Sequence, residues 1–157
     1  MKFLIKMRIV SLTFCAFVAQ VNALSPEAEE GKGLFPVCNA CHNASIDPPL
    51  APPMWGVQRQ YRKIAESDEQ FIELVASFAK SPSLDKVRFQ HAVDQLGLMP
   101  AVAMPLDELK KVAAYIAEEQ FEPPCAHWEN NAVRAEAAGD LQHAKKDRRK
   151  LQRFCAQ

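Results

Sequence analysis

Two cysteines and a histidine stand together in Cys38-Asn39-Ala40-Cys41-His42. The C-x-x-C-H spacing is the attachment sequence of a c-type haem, in which each thiol forms a thioether bond with one vinyl group of the porphyrin. The histidine after Cys41 is then held at the ring, where its imidazole can ligate the iron. A zinc site would need a second ligand pair and a redox dithiol would need a βαβ context, and the sequence offers neither. The motif therefore predicts one covalently attached haem c, bound through Cys38, Cys41 and His42.

Residues 1–23 have the pattern of a secretory signal peptide. Three basic residues precede an apolar run from Ile9 to Val21, and small residues at 21–23 suit a cleavage site. The run is shorter than the roughly 20 residues of a membrane-spanning helix. We therefore expect cleavage after Ala23 and export to the periplasm, with an uncleaved anchor as the alternative. Export agrees with the motif, because bacteria attach haem to C-x-x-C-H outside the cytoplasm.

The charges of the chain are unevenly distributed. Residues 24–125 contain nine basic and fifteen acidic side chains, whereas residues 126–157 contain seven basic and four acidic ones. We interpret the basic segment as a solvated helix face or a docking site for an acidic partner. A nucleic-acid partner is not expected, because an exported protein rarely meets one. The mature chain of about 134 residues is long enough for one domain with a small core.

Hydrophobic periodicity predicts helices and no strands, so the expected fold is all-α. Ser25 and Pro26 suit a helix start, and four prolines between Asn43 and Pro53 indicate a loop. The expected inward stripes are Phe71, Leu74, Val75 and Phe78 in one helix and Leu109, Val112, Ala113 and Ile116 in another. The predicted helices are residues 26–37, 57–64, 68–80, 84–95 and 106–119.

From about Ser25 to Phe121 the chain resembles the class I cytochromes c. The resemblance rests on Gly31, Phe35, Cys38, Cys41, His42, the stretch from Pro52 to Val57, Met99-Pro100 and Tyr115. It implies a small helical domain around one covalent haem, in residues 24–122. The N-terminal helix leads into C-x-x-C-H, and the last helix, with its aromatic residue, crosses the first. Residues 123–157 would then form a C-terminal helical extension beyond the family fold.

The same resemblance implies a methionine as the second axial ligand of the iron. Met99 and Met104 are both followed by proline. In the family several residues separate the ligand from the last helix, and Met99 leaves residues 100–105 for that path, whereas Met104 leaves almost none. We therefore expect His42 and Met99 to bind the iron, with Met104, a histidine or an open site as alternatives. The other candidates considered are Met54, which we expect at the porphyrin edge, and His91, His127 and His143, which we expect on the surface.

The family also uses a proline carbonyl to accept the second ring N–H of the iron-bound histidine, which fixes the ring orientation. Pro52 fits that position best, and Pro48 is the alternative. Side chains that follow in the sequence could bind the haem propionates or belong to an ordinary surface around one buried tryptophan. These are Trp55, Arg59, Tyr61 and Arg62.

The extension contains two further cysteines, Cys125 and Cys155. A disulfide requires their Cα atoms to come within about 7 Å, whereas one continuous helix would hold them roughly 40 Å apart. Gly139-Asp140 lies near the midpoint and suits a helix stop followed by an N-cap. A helical hairpin closed by a Cys125–Cys155 disulfide is therefore expected. Intermolecular pairing, or free thiols on one long helix, are the alternatives.

Together these features predict an electron-transfer protein and not an enzyme. A haem with two protein ligands suits one-electron transfer between redox partner proteins, some of them membrane-bound, and no small-molecule substrate is indicated. One alternative is the haem subunit of a larger periplasmic redox complex. Another is a haem enzyme or gas sensor with a displaceable sixth ligand, although the sequence has no peroxidase-like group of His and Arg.

Overall fold

The computed structural model describes residues 23–156, which form helices and connecting loops without any strand. The all-α prediction is confirmed for this part of the chain. The signal-peptide prediction falls, except for Ala23, on residues outside it. A 3-10 turn, Leu84–Lys86, precedes the fifth of eight α-helices. The helices are α1 (Pro26–Leu34), α2 (Pro36–His42), α3 (Met54–Arg62), α4 (Asp68–Lys80), α5 (Gln90–Leu96), α6 (Leu106–Glu118), α7 (Cys125–Ala137) and α8 (Leu141–Phe154).

The N-terminal helix is shorter than expected. It begins as predicted, with the Ser25 hydroxyl accepting a hydrogen bond from the Ala28 N–H at 3.2 Å. However, α1 ends at Leu34 and a second helix begins at Pro36, so the expected single helix to Val37 is wrong. Proline has no N–H and its ring crowds the preceding turn, so a proline suits the start of a new helix better than the interior of an old one.

The core is built around α6, which packs against α1 and α4. The expected inward stripe is confirmed, because Leu109, Val112, Ala113 and Ile116 are all buried. The α1–α6 crossing depends on Gly31. A Cβ atom at this position would lie 1.9 Å from the Lys111 carbonyl oxygen, so only glycine fits.

Helix α3 begins three residues earlier than predicted, and two of its side chains cap the C-terminal end of α6. The Gln58 amide donates to the carbonyls of Ile116 and Glu119, each at 2.7 Å. The Arg62 guanidinium donates to the Ala117 carbonyl at 2.9 Å. These side chains satisfy carbonyls that a helix C-terminus leaves without an intrahelical partner.

The helix predicted over residues 84–95 is interrupted. Ser83 and Val87 are extended and bracket a 3-10 turn, after which α5 ends at Gly97 with a φ of 82°. Positive φ is accessible to glycine at little cost, so Gly97 ends the helix and starts the irregular segment that leads to Met99 and α6.

Helices α7 and α8 form the hairpin that the sequence predicts. Gly139 turns the chain with a φ of 77°, and the Asp140 carboxylate accepts a hydrogen bond from the His143 N–H at 3.0 Å. The chain reversal brings the Cα atoms of Cys125 and Cys155 to 5.9 Å, and the two sulfurs are joined in a disulfide.

The hairpin attaches to α3 and to the loop after α2. The Trp55 ring lies 5.1 Å from the rings of both Trp128 and Phe154, and Arg134 forms an ion pair with Asp47. Within residues 23–156, no helix is both long enough and apolar enough to cross a membrane.

Candidate haem site

Helix α2 carries all three residues of the C-x-x-C-H motif. Cys38, Cys41 and His42 are spaced i, i+3 and i+4, so the helix places them on one face. A proline at the start of α2 separates this helix from α1. The motif is therefore presented on a short regular element.

His42 is held by a backbone carbonyl. Its Nδ1 lies 2.7 Å from the Pro52 oxygen, and because a carbonyl can only accept, Nδ1 must carry the proton. The expectation for Pro52, rather than Pro48, is confirmed for this contact. The other ring nitrogen, Nε2, is then the unprotonated one and can act as an iron ligand. Burial lowers the pKa of His42, and the Pro52 hydrogen bond opposes that effect.

The two thiols are free and differ in exposure. Cys38 is half-buried and packs against the main hydrophobic core, whereas Cys41 is exposed. Burial raises the pKa of Cys38, and the neighbouring Cys41 raises it further. Two free thiols on the same helix face as an imidazole with an available Nε2 are the donor set that a covalent haem requires.

The methionines occupy different environments. Met104 and Met54 are buried in the hydrophobic core that Cys38 contacts. The Met104 carbonyl accepts from Lys80 Nζ at 2.9 Å. Met99 is half-buried in the irregular segment between α5 and α6 and is not a member of that core. Met104 thus has a packing role of its own.

The residues considered for the haem propionates have partners within the protein. The Arg59 guanidinium lies over the Trp55 ring at 4.6 Å. Arg62 forms an ion pair with Asp68 in addition to its hydrogen bond to the Ala117 carbonyl at the end of α6. Tyr61 is buried against Phe71, where burial raises its pKa to about 12. Each of these three side chains therefore has a contact within the protein that fixes its position.

The other three histidines lie at the hairpin. His91 on α5 is exposed, as expected, and its ring lies 5.1 Å from the His143 ring. His127 and His143 were expected on the surface but are half-buried, because the hairpin folds them toward its own interface. Among residues 23–156, no group of three or more His, Cys, Asp or Glu side chains is arranged to hold a bare metal ion.

Nothing in the sequence singles out Asp147, which is 1 % exposed. Its Oδ1 accepts from Lys150 Nζ at 2.6 Å. Its Oδ2 lies 3.2 Å from His143 Nε2 without forming a hydrogen bond. An aspartate within a run of basic residues is typical of the surface, and Asp147 is buried only because α7 packs against α8.

Comparisons with protein-family models, with curated proteins and with solved structures find no significant match to this chain.

Proposed function

We propose that this protein is an exported mono-haem c-type cytochrome that carries single electrons between redox proteins. The observation that carries the proposal is the arrangement on α2, where two free thiols share a face with His42, whose Nδ1–H is directed to the Pro52 carbonyl. When bound, the haem would supply an iron that alternates between the ferric and ferrous states.

The chain's own residues have separate tasks in this proposal. Cys38 and Cys41 hold the porphyrin covalently. The Pro52 carbonyl fixes the tautomer and orientation of His42 and increases the basicity of its Nε2. Met99 is the proposed second ligand, since a thioether is a soft donor that favours the ferrous state. The spacing supports this choice, because six residues, 100–105, separate Met99 from the start of α6 and one separates Met104 from it.

The ligand assignment is tested by spectroscopy on protein produced with a haem-attachment system. Ferric protein should show the weak far-red band that Met–iron ligation produces in the family. Met99→Ala should abolish the band and lower the reduction potential, whereas Met104→Ala should keep the band and reduce stability by roughly 2–5 kcal/mol through a core cavity. Loss of the band in Met104→Ala alone would reverse the assignment.

Attachment itself is tested by mass measurement. The wild-type chain should gain the mass of one haem, and the Cys38→Ser/Cys41→Ser variant should not. A wild-type chain that remains unmodified in cells that load a reference cytochrome would contradict the proposed function.

A second candidate is a haem subunit of a larger redox complex. The observation that favours it is the disulfide-closed hairpin, which follows α6 in the chain and has its own basic surface. Size-exclusion chromatography of periplasmic extract distinguishes the two: a carrier elutes near its own mass of 17.6 kDa or below, and a subunit elutes with its complex.

A further inference from the structure

One face of α8 carries a row of exposed cations. Lys145, Lys146, Arg149 and Arg153 are spaced so that an α-helix places them on the same side, and all four are exposed. We call these four residues the basic stripe. The opposite side of α8 carries the buried Ala144 and Asp147, which face α7.

Three of the four acidic residues of the hairpin are engaged away from the basic stripe. Glu136 pairs with Arg148 at 3.1 Å, and Asp147 pairs with Lys150. Asp140 caps the start of α8. None of the four stripe residues forms a salt bridge with another residue between 23 and 156, so their charge is left for a partner to neutralise.

The hairpin holds the basic stripe in a fixed position relative to α3. The disulfide ties the ends of α7 and α8, and Trp128 and Phe154 pack on Trp55. Trp55 is three residues after Pro52, whose carbonyl binds His42. The helix that carries the stripe is therefore anchored to the segment that supports His42.

We propose that the basic stripe docks a carboxylate-rich surface of a partner protein. Its complementarity is to acidic groups, and the arginine fork matches carboxylates in two parallel hydrogen bonds. That the partner exchanges electrons with this chain rests on the proposed function. The docking itself does not.

The residues around the basic stripe favour a protein partner over a membrane surface as its binding partner. A helix that lies in a membrane interface inserts an apolar face, but the apolar side of α8 is covered by α7. The positions beside the cations on the solvent side are Gln142 and Gln152, both exposed. Apart from Leu141 at the start of α8, which is 69 % exposed, only headgroup attraction would remain for a lipid bilayer.

The test measures binding of the haem-loaded protein to poly-L-glutamate by titration calorimetry at low salt. The variant Lys145→Gln/Lys146→Gln/Arg149→Gln should bind about tenfold more weakly, because three charge contacts are lost. The control Lys32→Gln/Lys63→Gln/Arg88→Gln removes three exposed cations outside the hairpin and the same net charge. It should stay within about twofold of the wild type.

Three results would overturn the proposal: no binding by the wild type, an equal loss in the stripe and control variants, or stripe-dependent binding to phosphatidylglycerol vesicles that exceeds binding to poly-L-glutamate. Phosphatidylcholine vesicles provide the uncharged reference. The far-red Met–iron band is recorded on the same samples. If docking fails while the band is present, only this inference is overturned. If the band is absent while binding still depends on the stripe, only the proposed function is overturned.

Discussion

The contacts of His127 require a neutral imidazole. Asn131 Oδ1 accepts from Arg134 at 2.6 Å, which turns the amide Nδ2 toward His127 Nε2 at 2.9 Å. The amide can only donate there, so Nε2 must be unprotonated. Burial is the largest cause of the lowered pKa of His127, although the nearby Asp147 opposes it.

This contact makes the stability of the fold depend on pH. The unfolded chain binds a proton at His127 more readily than the folded chain, because the folded-state pKa lies below the ordinary 6.5. The free energy of unfolding should therefore decrease as pH falls below that value. His127→Gln should flatten this dependence in urea titrations from neutral to mildly acidic pH. The exposed His91→Gln variant is the control, and equal slopes in the two variants would contradict the role of His127.

At the residue scale, the grouping of Cys38, Cys41 and His42 on one helix face could be predicted from the sequence, whereas the polar interior of the hairpin could not. Cys38, Cys41 and His42 are adjacent in the chain, so their chemistry is local and is visible in the spacing alone. The burial of Asp147 and the tautomer of His127 depend on how α7 meets α8. Those contacts join residues whose side-chain types suit the surface equally well.

At the scale of elements, α1 and α6 approach each other so closely at Gly31 that one additional carbon atom does not fit between them. Gly31→Ala would place a methyl group against the Lys111 backbone, which cannot rotate away. We expect a loss of about 2 kcal/mol or more in the free energy of unfolding.

Gly33 provides a matched control in the same helix. A Cβ atom there meets nothing within 4 Å, so Gly33→Ala should stabilise the helix by about 0.5–1 kcal/mol. Urea unfolding followed by circular dichroism measures both variants. Equal effects of the two substitutions would show that helix propensity, and not the close approach at Gly31, decides the outcome.

Helix existence could be predicted more reliably than helix bounds. The stripe of α6 has strict helical spacing and its burial is confirmed at all four positions. The expected helices over 26–37 and 84–95 are both split in the structure. Pro36 ends the first of these helices because proline has no N–H to donate to the preceding turn. The break at Val87 involves no proline or glycine at that position, so no local signal was available to predict it.

At the scale of the whole molecule, the disulfide joins the two ends of a second structural unit. It closes a loop with a sequence separation of 30 residues, for which chain entropy predicts a stabilisation of about 3–4 kcal/mol. Cys125→Ser/Cys155→Ser should lower the urea midpoint for loss of α7 and α8 helicity. The Met–iron band in native buffer should be unchanged. A variant that loses the band as well would show that the hairpin is required for the haem site.

The contact between the hairpin and α3 also gives the molecule an optical property. The chain has two tryptophans, Trp55 and Trp128, and their rings are in contact at 5.1 Å. All of its tryptophan fluorescence therefore originates at this one seam. In protein without haem, the emission intensity and wavelength therefore report whether the hairpin is packed on α3, without any attached label.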